Sequence, residues 1–199
     1  VSRDGRFLLV ANYGDGSVSV LPVSSDGSLG DPVANIKHDS TGKAPRAHSF
    51  VFSPDERFVL AADLGIDQVL VYRFDSATGE LTPNDPPFTS CAGGAGPRHL
   101  AFHPNGKLLY AMTEYNNTVI AMTWDAKTGR ATIIHTIASL PADFTDTSYG
   151  ADIHIHRAGQ FLYVSNRGHE SIAAFAIDQI TGQLTLIDIT PTTGQFPRG

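Results

Sequence analysis

The chain repeats itself with a period of about fifty residues. One marker is a turn followed by an apolar strand, and the polar residue just before that strand returns at intervals of 51, 50 and 53 residues, at Arg6, Arg57, Lys107 and Gln160. A second marker has the same spacing: Asp26-Gly27, Thr78-Gly79, Thr128-Gly129 and Thr181-Gly182. Because two separate markers keep this spacing over four copies, the sequence predicts a repeat protein.

Each copy contains four short segments that are rich in β-branched and aromatic residues. In the third copy they lie at roughly 98–102, 108–113, 118–124 and 131–137, with Pro, Asn, Gly and Asp between them. No stretch shows a sustained apolar period of 3.6 residues, so we expect little helix. Four-stranded units with this period are typical of an all-β fold, the β-propeller. A β-sandwich is the alternative, but it does not explain the regular spacing.

The repeat divides the chain into blades at roughly 1–40, 45–92, 96–140 and 148–192, followed by the start of a further blade at 194–199. We interpret residues 1–199 as a single partial propeller domain. Four blades are about half of a seven-bladed ring, and an open arc would expose the apolar faces of its end blades. We therefore expect the remaining blades to lie outside these residues, and we expect the isolated chain to be inactive.

The composition excludes several classes of partner. The 199 residues include 14 Lys and Arg against 20 Asp and Glu, a formal net charge of −6, whereas nucleic-acid binding requires a basic patch. No apolar run approaches the roughly 18–20 residues that span a bilayer, so we expect no membrane association. The single cysteine, Cys91, permits a reducing compartment, and we expect a cytoplasmic protein. The sequence leaves the oligomeric state open.

The strand order of a blade predicts where functional residues gather. If strands a to d run outward from the central channel, the starts of strands a and the ends of strands b share one face of the disc, which we call the mouth. Scaffold columns repeat their residue type from blade to blade, but the mouth columns vary and carry charge, which predicts an asymmetric ligand site. The columns are His48, Arg98, Ala151 and Arg198; Tyr13, Leu64, Glu114 and Arg167; and Asn12, Asp63, Thr113 and Asn166.

These side chains suit an anionic ester or lactone. His48 can act as general base or acid near neutral pH, and Glu114 can share or orient that work. Arg98, Arg167 and Arg198 can bind a phosphate or carboxylate in bidentate fashion and can stabilise an oxyanion. The cluster therefore predicts chemistry on an anionic carbonyl compound.

Other polar residues give weaker signals. His154 aligns with Val51 and Ala101, so it either faces the channel or serves the fold, and Asp152 is interpreted as orienting backbone or an arginine. His103 and His156 lie in turns on the opposite face and are interpreted as structural, whereas His99 and His38 have no partner that the sequence can assign. His154-Ile155-His156 has a metal-like spacing without a third ligand, and Cys91 lacks a neighbouring base, so we expect neither a metal nor a cofactor.

Five segments resemble the lactonase family with a seven-bladed β-propeller: Val10-Ala11-Asn12-Tyr13-Gly14, Ala47-His48-Ser49-Phe50, Gly96-Pro97-Arg98-His99, Ile153-His154-Ile155 and Tyr163-Val164-Ser165-Asn166-Arg167-Gly168. That family includes 6-phosphogluconolactonases and fungal carboxymuconate-lactonising enzymes. The resemblance implies site residues at His48, Arg98, Glu114 and Arg167, which the mouth columns also select. For the former group the resemblance implies hydrolysis of 6-phosphoglucono-1,5-lactone in the oxidative pentose phosphate pathway, and for the latter it implies closure of a lactone ring.

We therefore predict a metal-free sugar lactonase that acts on a small anionic lactone. His48 or Glu114 would activate water, and the substrate would be bound by arginines and their neighbours: Arg98, Arg167, His154, Asn166 and Arg198. A lactonising cyclase on the same fold is one alternative, because it would use the same arginines. A non-catalytic propeller that serves as a binding platform is another, although a platform needs no His–Glu–Arg cluster and favours exposed aromatic residues on its rim.

Overall fold

The computed structural model describes residues 1–39 and 42–198 and contains no helix within them. Residues 40 and 199, which end the first predicted blade and the last predicted segment, lie outside the described residues, as does residue 41. The strands of the described residues are β1 (Phe7–Asn12), β2 (Ser17–Pro22), β3 (Ala34–Lys37), β4 (Ala47–Phe52), β5 (Phe58–Asp63), β6 (Gln68–Phe74), β7 (Leu81–Ser90), β8 (Pro97–Phe102), β9 (Leu108–Thr113), β10 (Thr118–Asp125), β11 (Arg130–Ala138), β12 (Tyr149–Ile155), β13 (Phe161–Arg167), β14 (Ser171–Ile177) and β15 (Leu184–Pro191).

The strands form four antiparallel sheets in chain order. The first sheet has the order β1-β2-β3, and the others are β4-β5-β6-β7, β8-β9-β10-β11 and β12-β13-β14-β15. By sequence, β1 to β3 correspond to the second, third and fourth strands of the other sheets. Each sheet lies inside one of the predicted blade segments, and residues 194–198 contain no strand. The predicted all-β propeller architecture is confirmed.

Apolar layers between neighbouring sheets hold the blades together. Strand β5 shows why, because all six of its residues are buried and successive side chains point to opposite faces. Val59 and Ala61 pack toward the first sheet, whereas Leu60 and Ala62 pack toward the third. A strand in the middle of the array therefore reads as a continuous apolar run, since both of its faces are covered by a neighbouring blade.

The repeat markers lie in turns on the face opposite the mouth. Gly129 adopts a φ of +71°, and a Cβ atom there would lie 2.3 Å from Cε1 of Phe58 in the preceding blade. The turn thus needs a glycine both for its backbone and for the close blade contact. His103 on the same face is buried, and its Nε2 lies 2.8 Å from the carbonyl oxygen of Gly159, which fits the structural interpretation of that histidine.

Candidate functional site

The first strand of each four-stranded sheet carries a β-bulge near the mouth. The pairing slips by one residue between Ala47 and Ser49 in β4, and between Pro97 and His99 in β8. A third bulge lies between Gly150 and Ile153 in β12. A bulge leaves one residue out of the ladder and re-aims the side chains beside it. Consequently the side chains of His48 and Arg98, the unpaired residues of β4 and β8, do not follow the regular alternation of side-chain direction along a strand.

Arg98, Glu114 and Arg167 form a charged cluster at this point. Arg98 Nε donates to Glu114 Oε2 at 2.9 Å, and Arg167 Nη2 makes an ion pair with the same oxygen at 2.9 Å. Both guanidinium groups also donate to backbone carbonyls of β12, Arg98 to Ala151 at 2.7 Å and Arg167 to Gly150 at 2.8 Å. We call Arg98 and Arg167 the arginine pair. One carboxylate faces two guanidinium groups, so the cluster carries an excess positive charge.

Burial makes that excess charge significant. Arg98 is only 2% exposed and Arg167 only 7%. Burial lowers the pKa of Arg98, the neighbouring Arg167 acts in the same direction, and Glu114 opposes both. Two like charges are thus held close together away from solvent, and an anionic ligand would offset the free-energy cost of this arrangement. The cluster has the electrostatics of an anion-binding site.

His48 stands beside this cluster. Its ring centroid lies 5.1 Å from that of His99 and 5.8 Å from that of Tyr13. Among the described residues no group hydrogen-bonds its buried Nδ1 atom. Burial, followed by the charges of Arg98 and His99, lowers the pKa of His48 to about 3. The imidazole is therefore neutral at physiological pH.

His99 is held by a carboxylate of the next blade. Its Nδ1 lies 2.6 Å from Asp152 Oδ1, and its Nε2 lies 3.2 Å from Arg98 Nη1. The second carboxylate oxygen of Asp152, Oδ2, lies 2.7 Å from His154 Nε2. Burial lowers the pKa of His99 more than Asp152 raises it. Burial acts to raise the pKa of Asp152, but hydrogen bonds from His99, the Ile153 backbone and His154 outweigh it and hold that pKa below its usual range.

The remaining predicted site residues lie in different settings. His154 is exposed on β12 and contacts Asp152, and Arg198 is exposed but close enough to lower the pKa values of His48 and Arg98. Asn166 is fully buried: its amide donates to the Ser139 carbonyl at 2.9 Å, and it accepts from Ser139 Oγ at 2.7 Å. Substrate contact by Asn166 stays a prediction, because its side chain supports the end of β13 from within the fold.

Tyrosine rings border the mouth. Tyr13, Tyr115 and Tyr149 are all exposed. The guanidinium carbon of Arg167 lies 5.7 Å from the ring centroid of Tyr149, and that of Arg46 lies 5.4 Å from that of Tyr13. Such rings can pack against an apolar face of a ligand while the cations bind its charge.

Sequence reasoning left His99 without a partner and gave Asp152 another role. The signal was present, since Ser49, His99 and Asp152 occupy corresponding positions in consecutive blades and therefore form one row across β4, β8 and β12, which lie side by side. What the sequence did not reveal is that His99 in this row also contacts Arg98, with 3.2 Å between Nε2 and Nη1. Within residues 1–39 and 42–198, no group of three or more His, Cys, Asp or Glu side chains is arranged to hold a metal ion. No helix long and apolar enough to cross a membrane occurs in the same part of the chain.

The sheets define part of a β-propeller that carries a buried, positively charged cluster at its mouth. The family description "Lactonase, 7-bladed beta-propeller" matches residues 1–199, and the chain belongs to that family. The predicted family membership is therefore confirmed.

Named relatives share this assignment. The chain is 42% identical over 203 residues to a 6-phosphogluconolactonase of Bacillus subtilis, covering 100% of this chain and 57% of the relative. It is 37% identical over 197 residues to a 6-phosphogluconolactonase of Pectobacterium carotovorum, covering 99% and 57%. The solved structure of a periplasmic gluconolactonase from Pseudomonas aeruginosa superposes with a TM-score of 0.93 at 36% identity, covering 100% of this chain and 58% of that one. The chain thus spans a little over half the length of these relatives.

Proposed function

We propose that the full-length protein is a hydrolase that opens a sugar lactone, with 6-phosphoglucono-1,5-lactone as its substrate. The observation that carries this proposal is the buried arginine pair, joined through one oxygen of Glu114 at the mouth of a lactonase-family propeller. The substrate is supported by the names of the relatives from Bacillus and Pectobacterium. A cytoplasmic location and a step in the pentose phosphate pathway belong to the same proposal, since a phosphorylated sugar is a metabolite of the cell interior.

The arginine pair is suited to the carbonyl end of the lactone. Arg98 uses Nε and Nη1, and Arg167 uses Nη2, in contacts with the described residues. Within the described part of the chain no hydrogen bond engages Arg98 Nη2 or Arg167 Nη1, and we assign these two groups to the ligand. Preorganised donors of this kind typically stabilise a developing oxyanion by about 3–4 kcal/mol each. Glu114 fixes both donors and so keeps their geometry constant during the reaction.

The more exposed groups would bind the rest of the substrate. Arg198 is exposed at the same mouth and is assigned to the phosphate, which a planar guanidinium binds in bidentate fashion. His154 and Asn166 are assigned weaker roles in binding, with His154 reaching the sugar from the channel side. Three groups at the mouth offer a basic atom to the attacking water: His48, Glu114 and His99.

The test is hydrolysis of 6-phosphogluconolactone by the full-length protein, followed by proton release and corrected for spontaneous ring opening. Arg98→Ala and Arg167→Ala should each lower kcat/KM by about 10²- to 10³-fold, the usual loss for one oxyanion donor. Arg98→Lys keeps a charge but not the planar fork, so it should recover only a small part of the loss. Arg130→Ala, an exposed arginine at the start of β11 on the opposite face, is the charge-matched control and should leave the rate unchanged.

Other outcomes would assign another function. Hydrolysis of glucono-1,5-lactone without its phosphate, at a rate above that of the phosphorylated substrate, would contradict the phosphate assignment. Lactone formation from a carboxymuconate would favour the cyclase. Absence of turnover with all three compounds, in a protein whose urea unfolding is cooperative, would favour a binding platform with the tyrosine rim as its contact surface.

A further inference from the structure

The three basic groups at the mouth differ in what holds them. Glu114 Oε2 is already shared by two guanidinium groups. His48 has no hydrogen-bond partner on its buried Nδ1 atom among the described residues, so nothing fixes its tautomer. His99 is hydrogen-bonded to a carboxylate on one ring nitrogen, which leaves the other nitrogen as an acceptor.

Asp152 fixes the orientation of His99. The 2.6 Å contact between Asp152 Oδ1 and His99 Nδ1 requires the proton on Nδ1, because an ionised carboxylate only accepts. Asp152 is itself held, since the Ile153 backbone N–H donates to Oδ1 at 2.9 Å and His154 contacts Oδ2 at 2.7 Å. A base oriented by a second, well-anchored group is the arrangement that activates a nucleophile in many hydrolases.

The second ring nitrogen of His99 lies beside the arginine pair. His99 Nε2 lies 3.2 Å from Arg98 Nη1, which is a long hydrogen bond. The same Arg98 nitrogen makes a shorter hydrogen bond of 2.7 Å to the Ala151 carbonyl oxygen. The Nε2 lone pair therefore lies next to the proposed oxyanion donor, and a water molecule can compete with Arg98 for a hydrogen bond to it. The ring also lines a groove of about 480 Å³ along β4, β8 and β12, shared with Asp152 and His154. Water has room to reach it from the channel.

We propose that His99, oriented by Asp152, is the general base of the reaction, an inference that rests on the proposed lactonase function. A water molecule gives one proton to His99 Nε2 while its oxygen bonds to the lactone carbonyl carbon. The carbonyl electrons move onto the oxygen held by the arginine pair. When they return, the bond between that carbon and the ring oxygen breaks, and His99 gives the proton to the ring oxygen, which becomes a hydroxyl. His48 and Glu114 then shape the pocket without taking the proton.

The charges around His99 give this base a defined pH behaviour. His48 lies beside its ring from β4, Asp152 and His154 face it from β12, and Arg98 adjoins it on its own strand. Glu114 and Arg167 lie one contact further away, since Glu114 Oε2 joins both of them to Arg98. Burial lowers the pKa of His99 from its ordinary value of 6.5, Arg98 and His154 act in the same direction, and Asp152 opposes them. The base is thus unprotonated at neutral pH, and kcat/KM should fall on the acid side of pH 6.5 as His99 gains a proton.

The experiment compares pH–rate profiles of the full-length protein and four variants, and it tests a fifth variant for rescue by imidazole. His99→Gln should lower kcat by about 10²- to 10⁴-fold, with a small change in KM, and should abolish the acid limb. Asp152→Asn should also lower kcat, because the amide can stabilise the wrong tautomer. His48→Gln should keep the acid limb, and the control His156→Gln, in an exposed turn on the opposite face, should match the wild type. In His99→Ala, added imidazole should restore part of the rate, which a purely structural role would not allow.

The outcomes separate the two proposals. An inactive wild type would overturn the lactonase function itself. An active wild type whose acid limb persists in His99→Gln would overturn the role of His99 alone. Binding of the product, 6-phosphogluconate, with an unchanged Kd shows that a slow variant still has a folded site. If His99→Gln does not fold, the acid limb of Asp152→Asn decides, and an unchanged profile there contradicts the inference.

Discussion

Arg167 and Glu114 meet across the boundary between two blades. Arg167 ends β13, Glu114 follows β9, and 2.9 Å separates Arg167 Nη2 from Glu114 Oε2. The side chains are 8% and 16% exposed, so the contact is shielded from solvent. Because Arg98 binds the same oxygen, one carboxylate both joins the blades and offsets part of the positive charge of the proposed site. The blade contact and the proposed site are thus coupled through a single oxygen atom.

Glu114→Gln tests this coupling. The amide keeps the volume but removes the negative charge, leaving two buried guanidinium groups that repel each other. We expect the free energy of unfolding to fall by about 3 kcal/mol, the usual cost of removing one partner from a buried ion pair. Urea unfolding measures it, with Glu80→Gln, an exposed glutamate before β7, as the matched control. Equal unfolding midpoints for the two variants would show that Glu114 contributes nothing to blade contact.

The histidine that the family resemblance selects should titrate far below its ordinary pKa. His48 has a folded-state pKa of about 3, against an ordinary value of 6.5, because of burial and the adjacent Arg98. Between these values the unfolded chain binds a proton that the folded chain does not, so stability falls as the pH drops from 6.5 toward 3. His48→Gln removes this contribution, and its stability should depend less on pH over that range. Urea unfolding at pH 7 and pH 5, with NMR titration of the His48 ring, measures both effects; a ring that titrates near 6.5 contradicts the assignment.

The repeat predicted the fold because a regular period forces every blade into the same setting. The same argument located Arg98, Glu114 and Arg167 together, since strand ends on one face of a propeller must converge. It missed the pairing of His99 with Asp152, because the contact depends on a one-residue bulge in each of two strands, and strict alternation hides such bulges. Local propensity carries no information on a contact made by residues 53 positions apart.

A repeat glycine should be needed for blade contact as well as for its turn. Gly129 and Gly106 lie in the same blade with φ values of +71° and +68°, so Ala at either position costs about 1–2 kcal/mol in backbone strain. Gly106 has its nearest neighbour, Pro54 Cβ, at 3.8 Å, whereas Gly129 would meet Phe58 at 2.3 Å. Gly129→Ala should therefore lose a further 1–3 kcal/mol, roughly the cost of overpacking. Thermal or urea unfolding of the two variants gives the difference, and equal losses would show that Phe58 moves aside freely.

A variant of Asn166 tests whether this residue supports the fold or binds the substrate. Its buried amide satisfies the carbonyl and the hydroxyl of Ser139 and reaches Ser171 Oγ at 3.3 Å. Asn166→Ala would leave the Ser139 carbonyl without this donor inside the fold, whereas Ser139 Oγ keeps the Asn117 carbonyl and Ser171 Oγ keeps His169 as partners. We expect the free energy of unfolding to fall by about 1–3 kcal/mol. The exposed Asn35 on β3 is the control, and Asn35→Ala should change stability by less than about 0.5 kcal/mol. Measuring both stability and KM for the two variants separates the two roles of Asn166. A stability loss with an unchanged KM assigns Asn166 to the support of β13. A raised KM with unchanged stability would instead place its amide against the substrate.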